Sequence, residues 1–120
     1  MPWEVEYTDV FGDWWVGLTE NQQDDITASI ELLIESGPQL KFPYSSGIER
    51  SRHSHMRELR IQSGGRPFRI FYAFDPRRVV ILLSGGDKTG QDRFYDEYVP
   101  LSDKLYDEHL DELKKEGLIN

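Results

Sequence analysis

Apolar and polar residues alternate from the start of the chain: Trp3, Val5 and Tyr7 interleave with Glu4, Glu6 and Thr8. A period of two predicts a strand with one face in a core. The period then lengthens. Phe11, Trp14, Trp15 and Leu18 recur at helical spacing, and Thr19 followed three residues later by Gln22 has the form of a capping box opening a second helix. Ile26, Ile30, Leu33 and Ile34 line that helix, which is expected to stop at Ser36-Gly37-Pro38, where glycine can take a left-handed cap and proline cannot continue the ladder. Residues 9–36 thus read as a helical hairpin.

The segment Lys41–His55 has no sustained period and is rich in Ser, Pro and Gly, so it reads as a surface loop. Three strands are expected after it, at Met56–Ile61, Pro67–Phe74 and Val79–Ser84, joined by tight turns at Gln62-Ser63-Gly64-Gly65 and Asp75-Pro76-Arg77-Arg78. Residues 92–117 are helical in pattern, with a break expected at Val99-Pro100 because proline disturbs a helix interior. This order predicts an α+β fold: a small twisted, mainly antiparallel sheet packed against an N-terminal helical hairpin, with C-terminal helices.

A chain of 120 residues with 38% hydrophobic content fits one compact domain over 1–120. There is no cysteine, so neither a disulfide framework nor a thiolate metal site is available. The acidic, alternating N-terminus is unlike a signal peptide, and the longest apolar run, Val79–Leu83, is far short of a membrane span. A cytoplasmic protein is the expectation.

Net charge is −8, which argues against indiscriminate nucleic-acid binding. Its distribution changes the picture. Residues 1–40 hold nine acids and no Lys or Arg, residues 41–93 hold eleven bases and five acids, and residues 94–120 hold three bases and eight acids. A basic middle lies between acidic ends.

That middle places arginine on strands. Alternation puts Phe68, Ile70, Tyr72 and Phe74 on one face and Arg69, Phe71 and Ala73 on the other; in the preceding strand Arg57, Leu59 and Ile61 oppose Glu58 and Arg60. An arginine among apolar strand residues must reach an acid or open onto solvent or an anionic ligand. Glu58 is the local acid that Arg60 or Arg69 could reach. Several arginines near Lys88, His53 and His55 would instead form a cationic patch suited to a phosphodiester, because the planar guanidinium meets phosphate oxygens in two hydrogen bonds. Plainer roles compete: the SRHSH histidines as an idle loop, Tyr95 and Tyr98 as helix packing, and the acids of the C-terminal helix as a solvated face. His-x-His without further ligands is an incomplete metal site, and GGDKTG lacks the spacing of a nucleotide phosphate loop.

The ordered set MRELRI, PFRIFYAFDP, VVILLSGGDKTG and FYDEY resembles the RelE/HigB superfamily of bacterial toxin–antitoxin toxins, in particular its phage-derived HigB-like branch. The resemblance implies a small sheet on helices and ribosome-dependent cleavage of messenger RNA, with no cofactor. It also implies a neutralising antitoxin, often a HigA-like helix-turn-helix protein, able to form a hetero-oligomer with the toxin. The related ParE proteins share the fold and inhibit DNA gyrase instead. Position by position, Arg69 matches the strand arginine that holds the scissile phosphate, Lys88 a basic residue that stabilises charge, and Tyr95 the aromatic that stacks on a base or assists proton transfer. Arg57, Arg60, Arg66, Arg93 and His53 are candidate RNA contacts, and His55 is a candidate catalytic group. Glu58 stands where a lysine is expected. Cleavage through the 2′-hydroxyl needs a base, an acid and cations; His53, His55 and Tyr95 are open candidates for moving protons, histidine being the better base on pKa alone.

Overall fold

The structure is a computed structural model, and it describes residues 2–120. In chain order the elements are β1 (Val5–Tyr7), α1 (Asp9–Val16), α2 (Glu20–Ser36), a short 3-10 turn (Gly37–Gln39), β2 (Ser45–Gly47), β3 (Arg57–Ser63), β4 (Arg66–Phe74), β5 (Val80–Asp87) and α3 (Phe94–Lys115). The sheet runs β1-β5-β4-β3-β2, with β1 parallel to β5 and every other pair antiparallel.

The helical hairpin forms as its sequence predicts. Thr8 caps α1 by accepting the Phe11 N–H, and its hydroxyl donates to the Leu83 carbonyl of β5 at 2.6 Å, tying the helix start to the sheet. Thr19 and Gln22 make the reciprocal capping box of α2. The hairpin covers one sheet face, where Phe11, Ile26 and Leu33 pack on Leu59, Ile61, Phe68, Ile70, Tyr72, Val80 and Leu82.

Helix α3 covers the other face. Tyr106 packs on Ala73, Ile81 and Leu83, while Phe94 and Val99 pack on Phe71. The expected break at Val99-Pro100 is absent, and α3 runs through Pro100 without interruption. Pro100 lies on the solvent side, where water can meet the carbonyl that proline leaves unbonded, and Val99 and Ser102 hold the helix to the sheet on the other.

Two further differences concern the sheet. Ser45–Gly47, read as loop, is the edge strand β2; it carries no apolar alternation, so its pairing with β3 has no signature in the sequence. The hydroxyls of Ser45 and Tyr72 share a hydrogen bond of 2.6 Å that pins it. β5 also continues past Ser84 to Asp87. A β-carbon on Gly85 would come within 2.4 Å of Trp14, and one on Gly86 within 2.8 Å of Tyr98, so the glycines let aromatic rings lie flat against both faces of the strand. A bulge at Leu83, between the pairs Phe71–Ser84 and Tyr72–Leu82, turns Ser84 toward α3, where its hydroxyl meets that of Ser102 at 2.7 Å.

The β4–β5 turn is anchored by Asp75. Its buried carboxylate accepts from Arg77 Nη2 at 2.7 Å and is hydrogen-bonded to His109 Nε2 of α3 at 2.9 Å, while Arg77 also reaches Glu6 of β1 at 3.0 Å. Burial alone pushes the Asp75 carboxyl up, but hydrogen bonds from Arg77, His109 and the backbone outweigh it and hold its pKa below the ordinary carboxylate value. A depressed pKa gives stability that is present above the unfolded-state value of about 3.9 and is lost as pH falls through the folded-state value. Asp75→Asn is therefore expected to reduce the unfolding free energy by about 2–4 kcal/mol at pH 7, seen as a lower urea midpoint at unchanged slope. The gap from wild type should hold above about pH 4 and close as pH falls through the depressed folded-state value.

Candidate functional site

Glu58 lies on the α3 face of β3, opposite Phe71 of β4, and is only 4% exposed. Its carboxylate accepts from the Tyr95 hydroxyl of α3 at 2.7 Å and from the Ser46 hydroxyl of β2 at 2.9 Å. Arg69, on β4 and 6% exposed, brings Nε to 3.5 Å from Glu58 Oε1 and donates from Nη1 to the Phe68 carbonyl at 3.0 Å. Arg60 Nη1 is 3.7 Å from Glu58 Oε2. Lys88, at the end of β5, holds Nζ 5.7 Å from the Tyr95 ring centroid. Its backbone N–H donates to the Pro67 carbonyl at 2.8 Å, which fixes where the side chain leaves the sheet.

The tertiary structure thus gathers Arg69, Tyr95 and Arg60 around one carboxylate, with Lys88 over the Tyr95 ring. Glu58, the local acid on the same strand face as Arg60, pairs with both Arg60 and Arg69 and forms the centre of the cluster. Between the two alternatives for Arg69, the geometry gives the acid: Arg69 is buried and ion-paired with Glu58. Yet the pair is imperfect. Arg69 Nε is, among the described residues, the one buried side-chain nitrogen or oxygen without a hydrogen-bond partner. A buried donor left unsatisfied costs about 1–3 kcal/mol, so this guanidinium retains capacity for another acceptor.

The Tyr95 hydroxyl is pushed up in pKa by burial and by its bond to Glu58. It therefore holds its proton and acts as a donor. Beside it, a cavity of about 260 Å³ is lined by Glu58, Tyr95 and Val99 on one side and Ile48 and Arg50 on the other.

Other candidate residues lie elsewhere. His53 Nε2 is hydrogen-bonded to Asp107 at 2.9 Å and His55 Nε2 to the Tyr106 hydroxyl at 3.3 Å. Tyr106 follows Tyr95 by eleven residues of α3, about 16 Å along the helix, so neither histidine joins the Glu58 cluster. Burial and neighbouring His53 lower the His55 pKa. Arg57 faces away, its Nε donating to Ser45 Oγ on the opposite side of the sheet at 3.0 Å. Arg66 pairs with Asp87 at the outer end of β5, and Arg93 is exposed, with Nε 3.8 Å from Asp96.

The acids of α3 are not merely solvated. Asp96 receives Arg50 at 2.7 Å, buried Asp103 receives the Arg52 backbone N–H at 3.0 Å, and Asp107 pairs with Arg52 as well as His53. Together they strap the 48–55 loop across the helix beside the cavity.

The family model described as Phage derived protein Gp49-like (DUF891) matches residues 13–107. The chain belongs to this family. Among curated proteins, this Gp49-like chain is 41% identical over 99 residues to HigB2 of Mycobacterium tuberculosis (strain ATCC 25618 / H37Rv), covering 81% of this chain and 49% of the relative. It thus spans about half the length of HigB2. It is 39% identical over 92 residues to HigB3 of the same strain, covering 76% of this chain and 79% of that protein; both carry the word toxin in their names. Among solved structures, the free state of an E. coli toxin RelE double mutant matches with a TM-score of 0.59 at 12% identity, covering 94% of this chain and 99% of that one. That match shows a shared fold.

Removing the arginine would strand a buried carboxylate. Arg69→Ala is expected to cost about 3 kcal/mol in urea unfolding, and adding Glu58→Gln should recover at least half of that loss. Independent, additive effects of the two changes would show that the pair is not coupled.

Proposed function

We propose that this chain is the toxin of a type II toxin–antitoxin pair and acts as a ribosome-dependent endoribonuclease on messenger RNA, in the cytoplasm. The observation that carries the reading is the convergence of Arg69 and Tyr95 on the buried Glu58 carboxylate, with Lys88 over the Tyr95 ring and Arg69 Nε still unsatisfied. Kinship with the HigB proteins and the RelE-like fold support it.

The chemistry follows from the donors and acceptors at hand. The 2′-oxygen attacks the adjacent phosphorus while the bond to the 5′-oxygen breaks. Glu58 is the acceptor in reach for the 2′-hydroxyl proton, a role the distant histidines are too remote to fill. Arg69 and Lys88 stabilise the added negative charge on the phosphorane. Tyr95, held protonated, supplies a hydrogen bond or a proton on the leaving side. Binding would exchange the Arg69–Glu58 contact for an Arg69–phosphate contact and free the carboxylate to act as a base. Ribosome dependence fits a chain of net charge −8, whose hold on free RNA is weakened further at physiological salt. The base-free, acidic segment 1–40 suits a basic antitoxin segment rather than a nucleic acid.

A second reading has its own observation: in this state Arg69 is already neutralised by Glu58. A non-nuclease toxin of the ParE kind, acting on gyrase, or a member that only binds its antitoxin would keep such a pair for structure.

Mapping message ends by primer extension after brief induction, and in a purified translation system, separates the two. The wild type is expected to cut within translated frames only when ribosomes are present, and Glu58→Gln to lower the cutting rate at least a hundredfold, on the order of what a positioned base contributes. Intact messages beside arrested growth would overturn the nuclease reading, and gyrase supercoiling would be assayed next.

A further inference from the structure

Phe42 and Tyr44 expose 70% and 53% of their surface, placing them among the most exposed large apolar side chains of the described residues. A single exposed apolar residue is ordinary. This pair is not isolated. The Arg60 guanidinium lies over the Phe42 ring, its central carbon 5.2 Å from the centroid, and the Arg60 backbone N–H donates to the Tyr44 carbonyl at 2.9 Å. The same guanidinium reaches Glu58 at 3.7 Å. Lys41, also exposed, adjoins Phe42 in sequence.

Cations and aromatic rings therefore lie on both sides of the Glu58 carboxylate, across the α3 face of the sheet. From Phe42 the row passes through Arg60 to Glu58, on to Tyr95, and ends at Lys88 over the Tyr95 ring. Such a row is the chemistry of single-stranded nucleic acid: rings receive the faces of unstacked bases, and interleaved cations receive the phosphates between them. A flat aromatic held beneath a guanidinium is also pre-oriented, so little rotamer entropy is lost when a base stacks on it.

We propose that Phe42 and Tyr44, with Arg60 and Lys41, form a stacking platform for a nucleobase of single-stranded RNA that flanks the nucleotide at the Glu58 site. The platform takes its purpose from the nuclease reading, but its test does not require cleavage.

The probe is a short, fluorescein-labelled 2′-O-methyl oligoribonucleotide of mixed sequence, which cannot be cut because its 2′-oxygens are blocked. An abasic strand of equal length and charge is the control. Anisotropy at low salt is expected to show tighter binding of the base-containing strand. Phe42→Ala should weaken that binding about tenfold and Tyr44→Ala in the same direction, with the abasic strand unaffected and Phe42→Trp restoring affinity. Both side chains are exposed, so far-ultraviolet circular dichroism of the variants should match wild type. Equal affinity for the two strands, no binding of either, or an unchanged affinity in Phe42→Ala would overturn the platform and turn this aromatic surface over to a protein partner. Message mapping with Glu58→Gln reads the nuclease reaction separately, so failure of either idea is seen alone.

Discussion

A carboxylate and a guanidinium withdrawn together from water set the terms for this fold. Each buried ion costs several kcal/mol unless its charge and its hydrogen bonds are met. Glu58 is met from four directions: Arg69 on β4, Arg60 on its own strand, Ser46 on β2 and Tyr95 on α3. Edge strand, sheet centre and helix N-terminal half are thereby locked to one point. One imperfection remains: Arg69 Nε is buried without a hydrogen bond.

The charge segregation of the chain has a structural meaning that a total cannot carry. Bases of the middle segment find acids of the two ends: Arg50 meets Asp96, Arg52 meets Asp107, and Arg77 meets Glu6. Exposed pairs of this kind add little stability singly. Their effect here is positional, because they lay the 48–55 loop over α3 and hold the β4–β5 turn against β1. Two further cations meet aromatic rings on either side of Glu58: Arg60 lies over Phe42 and Lys88 over Tyr95. The opposite side, built by residues 1–40, has no Lys or Arg. One molecule thus separates a surface of cations and aromatic rings from an acidic hairpin.

Much of this architecture was legible in the residue pattern. Periodicity and the Thr19–Gln22 box place β1, α1 and α2, alternation sorts β3 and β4 into two faces, and the resemblance nominates Arg69, Lys88 and Tyr95, which do come together. What was not legible shares one cause. β2 is held by backbone pairing and a serine–tyrosine hydrogen bond, so it leaves no apolar period. β5 was expected to end at Ser84 because the rings that need the flatness of Gly85 and Gly86, Trp14 and Tyr98, are distant in sequence. His53 and His55 look like catalytic neighbours of the strand arginines until α3 supplies Asp107 and Tyr106.

The sequence by itself determined the local terms: which segments are helical or extended, where they cap and turn, which strand face each side chain takes, and that charge is divided between middle and ends. Those follow from steric and solvation preferences acting over a few residues. Only the tertiary structure decided that α3 runs unbroken past Pro100 to cover the second sheet face, that Arg69 is buried rather than open, and that Glu58, not a histidine, is the acceptor beside it. Such outcomes depend on which groups meet across long sequence separations, where burial makes an unmet charge too costly to leave alone.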